Sequence, residues 1–175
     1  MAERLVPLFS EDEIAEAVGR LAARISADYE GRRPLLIGVL KGAFVFLADL
    51  VRQLSIPVEV DFVRLSSYGS GMETSGEVKV TKGLESEVRG RDVLIVEDII
   101  DTGLSLSFLV QELLSKGPSS LRICTLVDKK ARRQVEVEVH YVGFEIEEGF
   151  IVGYGIDYDE RYRELPALYV VEKVP

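Results

Sequence analysis

The chain has 175 residues, 47% hydrophobic and 29% charged, which excludes wholesale disorder and fits one domain of ordinary size. Lys plus Arg number 21 against 30 Asp plus Glu, and a net charge of −9 argues against a protein dedicated to nucleic acid. A small anionic substrate stays compatible, because local amides, lysines or a metal outweigh the global field at short range. The start MAERLVPLFSEDE has no apolar stretch long enough for a signal peptide, and no run approaches a membrane span. These features predict a soluble cytoplasmic protein without membrane association. The single cysteine, Cys124, lies in the apolar run 121–127 and is expected in the core. The single histidine, His140, alternates with apolar residues over 135–142. It reads as structural or surface, which argues against a His-based metal site or a Ser-His-Asp triad.

In chain order, Ser10 and Glu13 fit a capping box, and Ile14, Val18, Leu21 and Ile25 follow at helical spacing to about Tyr29. Residues 35–40, LLIGVL, form a short apolar run typical of a buried parallel strand. Lys41-Gly42 interrupts it, and 44–54 reads as a helix. Residues 58–65 alternate as a strand. SSYGSGMETSG over 66–76 has too little apolar surface to pack down and is expected to be a mobile loop. A strand resumes over 77–81. Residues 93–96, VLIV, give the strongest buried-strand signal in the chain. A helix over 104–114, a buried strand over 121–127, a basic turn over 128–133 and an alternating segment over 135–142 follow. Further alternation covers 151–154 and 168–172.

Strands alternating with helices at this spacing predict an α/β fold: a mostly parallel twisted sheet flanked by helices. The organisation expected is one domain, 1–175. Its core would cover about 35–148, and the two chain ends, about 1–34 and 149–175, would pack together as a small hood subdomain.

The informative stretch is VLIVEDIIDTGLS, residues 93–105. A buried strand ends in two adjacent carboxylates, and a loop with Asp, Thr, Gly and Ser then enters a helix. In open α/β sheets ligands bind beyond the carboxyl ends of strands, and a helix N-terminus suits an anion. Gly103 would let backbone approach a phosphate, while Thr102 and Ser105 add hydroxyls. The Walker lysine is missing. Glu97 and Asp98 would repel phosphate, so they suit ribose hydroxyls or a hard divalent cation. The plainer alternative is a helix N-cap at Asp101 or Thr102 beside solvated acids.

VLIVEDIIDTGLSL resembles the phosphoribosyl-pyrophosphate signature of type I phosphoribosyltransferases. GVLKGAFVFLADL, SSYGSGMETSGEVKV, LVDKKARR and GFIVGYGIDYDERYRELP resemble the pyrophosphate loop, the flexible active-site loop and the purine segments of the hypoxanthine-guanine branch. The five matches fall in order from Ile37 to Pro166.

The resemblance implies transfer of the 5-phosphoribosyl group from 5-phosphoribosyl 1-pyrophosphate to N9 of a 6-oxopurine, with Mg2+ required. It implies that Glu97 and Asp98 face the ribose hydroxyls directly or through a metal. Asp101, Thr102, Gly103, Leu104 and Ser105 would cradle the 5′-phosphate. Asp101 would also reach purine N7 as general base, which suits a nitrogen that must become a better nucleophile. Ser105 stands where the family often has Thr. Lys129 would donate to the purine O6 and select against adenine. Phe150 would stack on the base, and the carbonyl of Ile151 would read the ring edge. Asp157 resembles a ligand of a second magnesium. Arg163, Lys41 and Gly42 would hold pyrophosphate, with a cis peptide before Lys41. Ser67 and Tyr68 belong to the loop that in the family closes over the reaction. Lys130, Arg132 and Arg133 read better as a solvated basic turn.

The expected partners are therefore small molecules, with no nucleic acid, and the family resemblance implies a homodimer or homotetramer. Rival readings are a xanthine-preferring enzyme of the same family, a non-catalytic regulator that senses phosphoribosyl pyrophosphate, and a nucleotide-binding module without transfer chemistry. The regulator predicts a basic face and lost catalytic residues, against a charge of −9 with Asp101, Lys129 and Asp157 all present.

Overall fold

The computed structural model describes residues 2–67 and 77–175. The elements are β1 (Ala2–Phe9), α1 (Glu11–Asp28), β2 (Leu35–Leu40), α2 (Phe44–Gln53), β3 (Glu59–Ser67) and β4 (Val78–Lys82). They continue with β5 (Asp92–Ile100), α3 (Leu104–Leu114), β6 (Ser120–Lys129), β7 (Tyr141–Ile146), β8 (Ile151–Val152) and β9 (Leu168–Val174). The capping box is present: Glu13 N–H donates to Ser10 Oγ at 3.1 Å, and Ser10 N–H donates to Glu13 Oε1 at 3.1 Å. It supplies acceptors for amides that the first helical turn leaves unpaired.

Six strands form one sheet in the order β4-β3-β2-β5-β6-β7. All neighbours run parallel except the edge strand β4, which is antiparallel to β3. Strand alternation splits the apolar side chains between two faces. Leu36, Leu94, Val96 and Cys124 face α1 and α2 through Leu21, Ile25, Phe46 and Leu50. Leu35, Ile37, Val93, Ile95 and Ile123 face α3 through Leu106, Leu109 and Leu113. Both faces are thus covered, which explains why the central strands read as unbroken apolar runs. A Leu94→Ala change, at a fully buried position, would cost roughly 2–5 kcal/mol.

The two chain ends meet in a second, antiparallel sheet of order β1-β9-β8, with Ala2 opposite Val174 and Ile151 opposite Val170. β1 is a strand that hydrophobic alternation did not reveal. Its residues are exposed or only half-buried, and Pro7 interrupts its pattern.

Three further differences bear on the site. β5 does not stop at Val96 but runs to Ile100, because Glu97, Ile99 and Ile100 keep pairing with Thr125, Val127 and Asp128. β6 likewise extends through Asp128 and Lys129, so that part of the expected basic turn is strand. The alternating segment 135–140 is not a strand. Val137 and Val139 pack one-sidedly on the α3 face without a ladder partner, and the strand expected there begins only at Tyr141. Ser67 ends β3 and is exposed. Ser66, also expected in that mobile loop, lies in β3 opposite Lys79, and the rest, 68–76 with Tyr68 included, lies outside the described residues. Cys124 is buried, and His140 is structural: Ile123 N–H donates to its Nδ1 at 3.1 Å.

Candidate active site

The carboxyl ends of β2, β5 and β6 point the same way, and the loops that leave them converge. After β5, Asp101-Thr102-Gly103 turns into α3. Gly103 has φ +84 and caps the helix, and a Cβ there would strike the carbonyl of Val135. Only glycine combines that backbone with that approach. Thr102 Oγ1 accepts from Leu104 N–H at 3.3 Å, while Gln134 and Val135 donate their amides to the Thr102 carbonyl at 2.8 and 3.1 Å. The loop is thereby braced from behind. Glu97, Asp101, Thr102, Gly103 and Ser105 line a cavity of about 140 Å³ at the start of α3. Leu104 lies half-buried and Ser105 exposed at the same turn.

Asp101 meets Lys129 here. Lys129 Nζ lies 3.5 Å from Asp101 Oδ2 and donates to the Gly149 carbonyl at 3.1 Å. Arg132 also reaches Asp101 Oδ2 at 3.3 Å. The other oxygen, Asp101 Oδ1, is buried without a hydrogen-bond partner. A buried acceptor left open is costly, and such a group is a place where a donor from a ligand fits. Phe150 follows Gly149 and is 47% exposed, too open for a core aromatic, with its ring edge-on to Tyr158. Ile151 is buried at the start of β8.

On the other side, Asp98 lies against the loop after β2. A Cβ on Gly42 would overlap Asp98 Oδ2, so glycine is needed for that carboxylate to sit where it does. The Leu40–Lys41 peptide is cis. Arg163 donates to the Gly155 carbonyl at 2.8 Å and pairs with Asp157, its Nη2 lying 3.3 Å from Oδ1. Lys41 lies 3.1 Å from Glu160, which Arg163 also reaches. Lys41, Gly42, Asp98, Asp157 and Arg163 therefore form a second group beside the first.

Burial holds the carboxyl of Glu97 well above the usual range, helped by the neighbouring Asp98. Burial also raises Asp98, partly offset by hydrogen bonds with Glu97 and the backbone and, least, by Arg163. Two such acids ionise readily only when a cation compensates them, and hard oxygen donors suit a divalent ion. Among the described residues no three or more acidic, His or Cys side chains converge on one metal position. A metal here would be held by the Glu97–Asp98 pair together with substrate oxygens and water. Asp157 is less free, since Arg163 and the amide of Glu160 take its two oxygens.

Arg133 corrects the reading of the basic turn as solvated. Its side chain is 10% exposed and pairs with Asp128. Its Nε donates to the Asp101 carbonyl at 3.0 Å and its Nη2 to the Lys129 carbonyl at 3.2 Å. One guanidinium thus ties the β5 loop to the end of β6, a use for which its fork geometry is suited. Nothing in LVDKKARR separates this arginine from its exposed neighbours.

Comparison with known proteins agrees with this layout. Residues 8–159 match the phosphoribosyl transferase domain family. The chain is 48% identical to the bifunctional protein TilS/HprT of Listeria monocytogenes over 94% of its own length, but spans only 26% of that protein. It is 47% identical to the hypoxanthine-guanine phosphoribosyltransferase of Bacillus subtilis, over 94% of this chain and 92% of that one. A crystal structure of a hypoxanthine-guanine phosphoribosyltransferase from Bacillus anthracis superposes with a TM-score of 0.90 at 43% identity, covering 98% of this chain and 100% of that one. The fold is the type I phosphoribosyltransferase fold. The chain belongs to the phosphoribosyl transferase domain family, and the relatives named here place it beside the hypoxanthine-guanine branch.

Proposed function

We propose that the protein transfers the 5-phosphoribosyl group from 5-phosphoribosyl 1-pyrophosphate to N9 of hypoxanthine or guanine, giving inosine or guanosine monophosphate and pyrophosphate. The observation that carries this reading is the meeting of Asp101 and Lys129. A carboxylate with one open oxygen and a lysine 3.5 Å away offer an acceptor and a donor side by side. A 6-oxopurine presents the complement, a ring N–H and an O6 acceptor, whereas the 6-amino group of adenine cannot accept from Lys129.

In this reading Asp101 holds the proton leaving the purine ring while the N9–C1′ bond forms. The C1′–oxygen bond to pyrophosphate breaks, and its electron pair leaves with the pyrophosphate. Thr102, Gly103, Leu104 and Ser105 hold the 5′-phosphate at the positive end of α3. Phe150 stacks on the base, and Ile151 supplies a carbonyl to its edge. Lys41, Gly42 and Arg163 hold pyrophosphate, which needs local positive charge in a chain of net −9. Magnesium fits the Glu97–Asp98 pair and, bound with the phosphates, would neutralise the leaving group. Asp157 would reach a second magnesium only by loosening its bond to Arg163. Ser67 and Tyr68 would belong to a cover that keeps water from a cation-like sugar. The sheet of the two chain ends would act as the hood over the base.

The proposal includes self-association as a homodimer or homotetramer, supported by the half-exposed Phe44 on α2. Among the described residues no helix is long and apolar enough to cross a membrane. The test is a steady-state assay with magnesium, phosphoribosyl pyrophosphate and each of hypoxanthine, guanine, xanthine and adenine. Turnover of 6-oxopurines without adenine is expected. Equal use of adenine contradicts the role given to Lys129.

A further inference from the structure

The segment after Asp157 has an unusual backbone. Asp159, Glu160 and Tyr162 all have positive φ, at +51, +59 and +78. Non-glycine residues rarely take this region, and strain of this kind is kept where the surroundings enforce it. The turn is pinned by the amide of Glu160, which donates to Asp157 Oδ2 at 2.9 Å, and by Tyr158 and Arg161 bridging each other. Its effect is to aim one carboxylate between two cations. Glu160 Oε2 lies 3.1 Å from Lys41 Nζ, and Glu160 Oε1 lies 3.3 Å from Arg163 Nη2. The two oxygens thus take one cation each, from loops 119 and 3 residues away.

We infer that Glu160 is a built-in anion that occupies the cations used for pyrophosphate and competes with it. The inference rests on the proposal that Lys41 and Arg163 bind pyrophosphate. Lys41 and Arg163 lie on separate loops, and in the absence of an anion their charges would repel. Glu160 takes both cations in place of a ligand, while Asp157 also pairs with Arg163. The Glu160 side chain is 63% exposed, so the pair interactions are weak and it can swing into solvent. Pyrophosphate must displace it and then share the site with a nearby negative charge. Glu160 therefore sets affinity at this site: it weakens the grip on pyrophosphate and lets that product leave.

The test measures binding of magnesium pyrophosphate by titration calorimetry to the full chain and three variants. Glu160→Gln keeps the shape and removes the charge, and should tighten pyrophosphate roughly fivefold. Its affinity for inosine monophosphate, whose phosphate sits at the start of α3, should not move. Asp159→Asn removes an equal charge from the same turn, at a residue that makes no ion pair with either cation, and should leave pyrophosphate affinity unchanged. Arg163→Gln should weaken pyrophosphate, which tests the underlying site separately. If Arg163→Gln weakens pyrophosphate but Glu160→Gln does not tighten it, the inference is overturned while the site stands. An equal gain in Asp159→Asn overturns it too, because net charge alone would then explain the effect. Unchanged pyrophosphate affinity in Arg163→Gln overturns the site itself, and the inference with it.

Discussion

The Cα of Gly42 faces the carboxylate of Asp98 so closely that a single added methyl group would overlap Asp98 Oδ2. The loop after β2 and the end of β5 are thus built against each other, and the missing side chain of one sets the place of the other.

Gly42→Ala should therefore displace Asp98 while leaving the core intact, since neither apolar cluster includes this position. The expected result is a loss of about 100-fold in kcat/KM for phosphoribosyl pyrophosphate, the scale of an ångström-size misplacement. The thermal midpoint should change little. Steady-state kinetics beside a melting curve checks this. Wild-type kinetics would show that Asp98 has no place in the reaction.

Arg133 is largely covered, pairs with the buried Asp128 and bonds the carbonyls of Asp101 and Lys129. Removing one partner of such a pair leaves a buried charge, so Arg133→Gln should cost roughly 3–5 kcal/mol of stability. Arg133→Lys keeps the charge but not the fork, and should fold while losing activity. Chemical denaturation and kinetics on both variants separate the two effects.

How much of this was legible in the sequence depends on where the physics is local. The parallel core was legible because β2 and β5 are apolar on both faces, and α1 because Ser10 and Glu13 cap it. The β5 loop and its helix were legible because Asp101, Thr102 and Gly103 break a buried apolar strand from an apolar helix. β1 was not, because it is a half-exposed strand whose partner, β9, lies at the far end of the chain. The burial of Arg133 was not legible either. A charged residue in a basic turn looks solvated until its acceptors, set by β5 and β6, are known. The 135–140 segment misled because one-sided packing imitates the period of a strand.

Glu97 is 8% exposed and its carboxyl is held above the usual range by burial. The folded state takes up a proton more readily than the unfolded chain, so its stability falls as pH rises from the unfolded value near 4.5 towards the folded one. Glu97→Gln removes that cost. Its melting temperature at neutral pH should exceed wild type, by about 2–4 °C for each kcal/mol relieved. Its kcat/KM should fall by roughly tenfold or more with the loss of a charged hydrogen-bonding group. If magnesium binds this pair, adding it should raise the wild-type melting temperature more than that of the variant. A destabilised Glu97→Gln would contradict the burial argument.

His140 Nδ1 accepts from Ile123 N–H, so the neutral ring is the one the fold uses. Burial lowers its pKa, with Glu138 at 3.8 Å opposing and Arg122 assisting. Between the depressed folded value and the unfolded value near 6.5, the unfolded chain binds more protons. Stability should therefore fall as pH drops from neutral through that window, and the loss should level off below the folded pKa. His140→Asn places an amide oxygen near the same acceptor position without a titrating ring. The difference in unfolding free energy between wild type and this variant should change over that window. A pH-independent difference would remove His140 from the explanation.

Asp101 as the proton acceptor beside Lys129 is the central claim, and Asp101→Asn is its most direct test. Turnover of hypoxanthine with phosphoribosyl pyrophosphate and magnesium should fall roughly 100- to 10,000-fold in kcat, the range of a lost general base. Binding of inosine monophosphate should change far less, because Thr102, Gly103 and Ser105, proposed to hold its phosphate, are untouched. A variant that keeps wild-type kcat would contradict the assignment of Asp101 and require another group to take the proton.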